Sequence, residues 1–201
     1  GAVTFYESDV EIINSIFTNN LAGDDYLNIV RSQFALDNVA FINTVADAFD
    51  SDFSNGTITN SNFFNCGNDG LDISGSKIVA SYLKMRNVGD KAISGGENSH
   101  LIIDNIELYD SAIGVCSKDM SKIIGSNITL DNIQVGFTAF QKKPEFGFAS
   151  IDVKDVEINN SQIKFLIEAG SDCFINRVAV KNTKRKVENI LYGATFGKAS
   201  N

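Results

Sequence analysis

Asn14-Ser15-Ile16-Phe17-Thr18-Asn19 decides the fold, because its frame, N-x-x-Φ-x-N with Φ apolar, returns about 22 residues later and keeps returning. Asn38 to Asn43 repeats it around Phe41, and Asn60 to Asn65 repeats it around Phe63. Looser copies close at Asn87, Asp110, Asn132, Asn160 and Asn182, so the closing polar residue recurs at spacings of 24, 22, 22, 23, 22, 28 and 22. A second column runs in phase with it: Leu27, Phe49, Leu71, Ile93, Val115, Phe137, Phe165 and Leu191. A fixed period of this length marks a solenoid in which each unit buries its apolar face against its neighbours. About eight coils of about 22 residues are expected.

Within a coil the apolar residues alternate by two, interrupted once, as in Leu101, Ile103, Ile106 and Leu108. Alternation by two is the strand period. The interruption falls on Asn14, Asn38, Asn60, Asn105, Asn127 or Asp155, types that tolerate a left-handed bend. Two short strands therefore flank a corner. A third is centred on the second column, with Leu71 and Ile73 inward and Gly70 and Asp72 outward. Three strands per coil predict an all-β, right-handed, single-stranded parallel β-helix, one domain over 1–201. Helix is expected to be minor, because no stretch has a clear 3.6-residue period. The dominant leucine frame of a leucine-rich repeat is missing as well.

With 201 residues, 43% of them hydrophobic, the chain can fill one elongated core. It contains no 18-residue apolar run, so no membrane insertion is expected. A net charge of −8 argues against nucleic acid as a partner. The sequence opens directly in strand-like residues, Ala2 to Tyr6, with no amphipathic helix to cap the first coil. Bare terminal coils invite edge-to-edge self-association, so we expect a piece of a longer secreted or cell-surface protein. Cys66, Cys116 and Cys173 fall in different coils and on different sides, and free thiols are expected. His100 starts a strand away from the acidic residues and is read as structural.

Two departures from the period stand out. Gln141 to Phe146 lengthens one turn and carries the only proline, which predicts a protruding loop, either a tolerated excursion or one whose Phe140, Lys142, Lys143 and Phe146 form one wall of a groove. Lys181 to Lys186 reads as a solvated turn, and the small residues after Leu191 are expected to fold back over the last coil.

Chemistry is expected on the outer side of the third strand. Asp25, Asp47, Asp69 and Lys91 form one column across adjacent coils, and Asn28, Asp50, Asp72 and Ser94 form another. Like charges ~4.8 Å apart repel by about 0.8 kcal/mol even in water. Lys91 can neutralise Asp69. The remaining carboxylates must be hydrated, protonated, or bridged by a hard cation such as Ca²⁺, for which Asp25, Asp47, Asp50, Asp69 and Asp72 are the candidate ligands. Glu97, Asp119 and Lys118 continue the same face and join Asp47, Asp50, Asn28 and Ser94 as candidate ligand-binding residues. Against this stands a plainer reading, in which Asp, Asn and Ser at corners are turn formers only.

The run Gly67-Asn68-Asp69-Gly70-Leu71-Asp72-Ile73, followed one coil later by Gly89-Asp90-Lys91-Ala92-Ile93, resembles the pectin-lyase-like β-helix superfamily, and within it the polygalacturonase-type glycosidases. The resemblance implies that Asp69 and Asp90 protonate a leaving group and activate water, with Asp72 beside them. Lys91 stands where that family has a second Asp, and Ala112-Ile113-Gly114-Val115 stands where it has a Gly-His-Gly segment. The resemblance implies a polysaccharide partner. Hydrolase, lyase and epimerase chemistry all stay open beside a non-catalytic structural or adhesive solenoid.

Overall fold

A computed structural model of the chain describes residues 1–193. Its strands are β1 (Val3–Tyr6), β2 (Val10–Asn20), β3 (Asp25–Val30), β4 (Gln33–Thr44), β5 (Asp47–Asp52), β6 (Asn55–Thr59), β7 (Asn62–Cys66) and β8 (Leu71–Ser74). They continue as β9 (Lys77–Val88), β10 (Lys91–Gly96), β11 (His100–Lys118), β12 (Lys122–Phe140), β13 (Ser150–Asn159), β14 (Ile163–Ile167), β15 (Asp172–Ile175) and β16 (Val178–Ala179). One short helix, α1 (Val187–Leu191), follows. Coils stack in parallel about 22 residues apart, making a β-solenoid of about eight turns.

Each turn bends at three left-handed corners. The first is Asn14, Asn38, Asn60, Tyr82, Asn105, Asn127, Asp155 and Asn176, all with φ between +51° and +56°. The second is the closing residue of the repeat, from Asn19 to Asn160, and the third runs from Glu7 through Arg31, Phe53, Gly75 and Glu97 to Asp119. Asparagine dominates the first two because a left-handed bend costs it least among residues with side chains, and because its amide can bond along the stack. Asn43 donates to Asn19 at 3.1 Å, Asn65 to Asn43 at 2.9 Å, and Asn87 to Asn65 at 2.9 Å. A one-residue corner need not interrupt the strand ladder. β11 and β12 pair from His100–Lys122 to Lys118–Phe140, around a whole coil.

Register converts the repeat into stacked core columns. Phe17, Phe41 and Phe63 lie one above another with ring centroids 4.9 and 5.0 Å apart, and Met85, Leu108 and Leu130 carry the column on. Beneath the third corner runs a buried serine ladder. The Ser32 amide donates to Ser54 Oγ, that of Ser54 to Ser76, that of Ser76 to Ser99 and that of Ser99 to Ser121, at 2.8–3.1 Å. These hydroxyls satisfy amides that the bend takes out of the sheet ladder. Cys66, Cys116 and Cys173 are free and buried.

The regular spiral ends earlier than the spacing implies. β15 turns at Asn176-Arg177 and pairs antiparallel with β16, so Asn182 is not a corner but donates to the Ser171 carbonyl at 2.9 Å. Leu191, expected as the last third-strand column residue, lies in α1 instead. Val187 and Leu191 pack on the outer surface of Ile113, Cys116, Val135, Phe140 and Leu166. Lys181 to Lys186 is largely exposed, as a solvated turn should be. The residues expected to fold back over the last coil lie, from 194 onward, outside the described residues.

Candidate functional site on the third-strand face

The third-strand face is formed by β1, β3, β5, β8 and β10, by the ends of β11 and β12, and by β14. Pairing sets Asp25 beside Asp47 and Lys91 beside Ile113, while Asn28, Asp50, Asp72, Ser94, Cys116, Thr138 and Leu166 follow one another across successive coils. The expected columns are therefore real. Both change along the axis from acidic through mixed to apolar. α1 covers the apolar end, so Cys116, which points away from the core, is nonetheless fully buried and its thiol is pushed up to about 12 by burial.

In the mixed zone the structure brings together Asp69, Asp72, Asp90, Lys91 and Lys118. Lys91 is only 3% exposed, and its ammonium touches Asp90 and lies 3.3 Å from Asp69 Oδ1. Burial alone would lower the Lys91 pKa, but Asp69 and Asp90 override it and hold the ammonium well above its ordinary range. Burial pushes Asp69 up to about 7 against the pull of Lys91. Lys118 lies 3.5 Å from Asp72. Burial would raise the Asp72 carboxyl, but Lys118 and Lys91 keep it below the usual carboxylate range. Burying charges this deeply is costly unless they pair, and here they do.

These groups surround a cavity of about 290 Å³ that also takes in Asn68, Gly89, Lys142, Leu191 and Tyr192. The Tyr192 ring lies 5.6 Å from the Lys91 ammonium and 5.2 Å from that of Lys142. Both contacts are of cation–π length. Spacing did not point to Tyr192, because it follows a helix outside the repeat.

Glu97 and Asp119 do not line this cavity. Asp119 is a buried corner residue whose Oδ1 accepts from the amides of Lys142 and Lys143 at 2.7 Å, and Glu97 pairs with the Lys143 ammonium. Together they pin the inserted loop. Of the residues expected to wall a groove, Lys142 reaches the cavity, whereas Phe140 is buried beneath α1.

Toward the first coils the face is acidic. Asp47 Oδ1 accepts from the Asn68 side chain and the Asp69 amide, both at 2.7 Å, and burial pushes its carboxyl up to about 6. Burial, with Asp52 and Asp72 adding, pushes Asp50 up to about 8. Asn28 donates to Asp50 at 2.9 Å. Among the described residues no three His, Cys, Asp or Glu side chains converge as a preformed metal site. Asp69 and Asp72 already hold ammonium partners, so any Ca²⁺ contact falls to Asp25, Asp47 and Asp50, and no chemical step here runs through the ion.

No family model matches this chain, and no curated protein matches it.

Proposed function

We propose that this β-solenoid is an extracellular or cell-surface protein that binds polysaccharide along its third-strand face, with one sugar unit seated in the cavity below Tyr192. The observation that carries the reading is the cavity's lining. Buried ammonium and carboxylate groups stand under an aromatic ring, giving donors and acceptors for hydroxyls and a flat apolar face for a pyranose. Asp90, Lys91, Lys118, Lys142 and Tyr192 are the contact residues. Asp69 is a positioning residue, since its Oδ1 accepts from the Lys91 amide at 2.9 Å and also meets the Lys91 ammonium. The resemblance to pectin-lyase-like β-helices supports the same ligand class. Ca²⁺ enters the proposal only as a bridge between a uronate polymer and the Asp25, Asp47 and Asp50 end.

A second reading, glycoside cleavage, is favoured by one observation. Asp69 and Asp90 both line the cavity and both meet the Lys91 ammonium, so two carboxyl groups stand close enough to divide acid and base roles. Carboxylates on adjacent coils, ~4.8 Å apart, come near the separation of retaining glycosidases. The contrary reading, a structural or adhesive solenoid, is favoured by the mutual pairing of the buried charges.

Affinity electrophoresis through uronate and neutral polysaccharides, with and without Ca²⁺, separates the three. Retardation that weakens in Tyr192→Ala and Asp90→Asn supports binding. Chain shortening that needs Asp69 and Asp90 makes the protein an enzyme. Folded protein that no polymer retards or loses length to belongs to the structural class.

A further inference from the structure

A second cavity lies away from the third-strand face. It is an open trough of about 1020 Å³ along the first corner of coils four to eight, lined by the corner residues and the residues that follow them, from Tyr82-Leu83-Lys84 to Asn176-Arg177. One residue in it breaks the rule of the fold. At this corner Asn14, Asn38, Asn60, Asn105, Asn127, Asp155 and Asn176 take the left-handed bend, yet the fourth coil places Tyr82 there at φ +55°. Bulky residues rarely adopt that conformation, and strain of this kind is held where a side chain is needed for something other than packing. Tyr82 is 61% exposed, so its ring adds little to the core.

We infer that this trough is a second saccharide-binding site, with the Tyr82 ring as the platform on which a sugar stacks. The ligand class follows from the lining. Leu83 and Ile106 turn their side chains into the core, which leaves the trough without apolar pockets for the side chains of a peptide. The backbone of β9, β11 and β12 is paired coil to coil on both sides. At the short 156–159 end of β13, which no described strand covers, the Asn176 side chain already bonds the Val156 amide and carbonyl, so a peptide has little strand edge here to extend. What remains to contact a ligand is the ring, the corner amides Asn105 and Asn127, the Thr129 hydroxyl and a set of charges. Lys84, Lys154 and Arg177 stand against Glu107, Asp155 and Glu157, and Lys84 is already paired with Glu107 at 3.1 Å. The balance of charge favours a neutral oligosaccharide over a polyanion. From Tyr82 to Asn176 the corner climbs four coil spacings, about 19 Å, so the ligand lies along the axis as an extended chain. This site is independent of the third-strand proposal, because the two cavities share no lining residue.

The test is a calorimetric titration of the intact protein with neutral chito-, manno- and galacto-hexasaccharides for wild type, Tyr82→Asn and Tyr82→Ala, with the Tyr ring resonances followed alongside in wild type. The expected result is saturable binding of at least one hexasaccharide that shifts the Tyr82 ring, weakened tenfold or more in both variants. Tyr82→Asn should also raise the melting temperature, because it restores the residue type the corner prefers. A loss of affinity in a more stable protein cannot come from misfolding. The same titration in Asp90→Asn assigns the affinity to one cavity: binding kept there and lost in Tyr82→Asn supports the trough, and the reverse overturns it. Absence of saturable binding to all three sugars overturns it as well, as does binding that both Tyr82 variants retain.

Discussion

Asp69 and Lys91, one coil apart and each nearly excluded from solvent, hold one another through two contacts, amide to carboxylate at 2.9 Å and ammonium to carboxylate at 3.3 Å. Removing one partner leaves a buried charge without its counter-charge, which costs more than losing the pair. Lys91→Met should therefore destabilise by about 3–5 kcal/mol, and the double variant Asp69→Asn/Lys91→Met should recover much of that loss. Urea denaturation of the two singles and the double checks it. Equal additive losses would show that the two side chains do not depend on each other.

Asp50 sets a pH dependence of the less usual sign. Its carboxyl, near 3.9 in an unfolded chain, is pushed up to about 8 in the fold by burial first and by Asp52 and Asp72 after it. Between those values the folded state holds the extra proton, so stability falls as pH rises from about 4 to about 8. Asp50→Asn removes this term, and its stability should exceed wild type at pH 8 by more than at pH 5. Melting curves across that range read the difference. A wild-type melting temperature that climbs over the whole window in parallel with the variant's would contradict it.

Asn65 makes two interactions at once, a left-handed corner at φ +55° and an amide link to Asn43 below and Asn87 above. Asn65→Ala loses both and should cost about 2 kcal/mol, whereas Asn65→Gly loses only the amide links and should cost less by about 1 kcal/mol. Chemical denaturation of the pair separates the bend from the ladder. Equal losses would mean that the bend carries no weight of its own.

The three thiols should be silent in the native protein. Burial pushes Cys66 up to about 11 and Cys116 and Cys173 up to about 12, which leaves almost no thiolate at neutral pH. A disulfide reagent at pH 8 should label none of them until denaturant is added, and then all three. Rapid native labelling of Cys116 would show that α1 lifts away from the face it covers.

The solenoid was legible because its information is local and periodic. Asn at two corners, alternation by two and a 22-residue step are properties of one coil, and stacking turns a sequence position into a spatial neighbour. The columns Asp25-Asp47 and Asn28-Asp50-Asp72-Ser94 follow from that translation alone. The buried serine ladder at Ser32, Ser54, Ser76, Ser99 and Ser121 was equally available in the spacing, but small polar residues between strands look like ordinary turn formers until the fold shows them inside.

What the repeat did not contain is what happens where it stops. The spacing carries Asn182 and Leu191 into a further coil that does not form, so no spacing rule says that α1 lies over Ile113, Val135 and Leu166, or that Tyr192 closes the cavity over Lys91. Whether an outward column is wetted or buried depends on this segment folding back across coils that precede it by many turns of chain. Tyr82 divides the same way: it precedes Asn87 by the offset at which Asn60 precedes Asn65, so its corner was legible in the repeat, whereas its exposure and the trough around it were not. Sequence alone determined the coil, the register and the acidic columns, since each is settled by neighbours one period apart. Tertiary structure decided which charges are buried, which pair and which cavities they line, because burial is set by contacts that no period encodes.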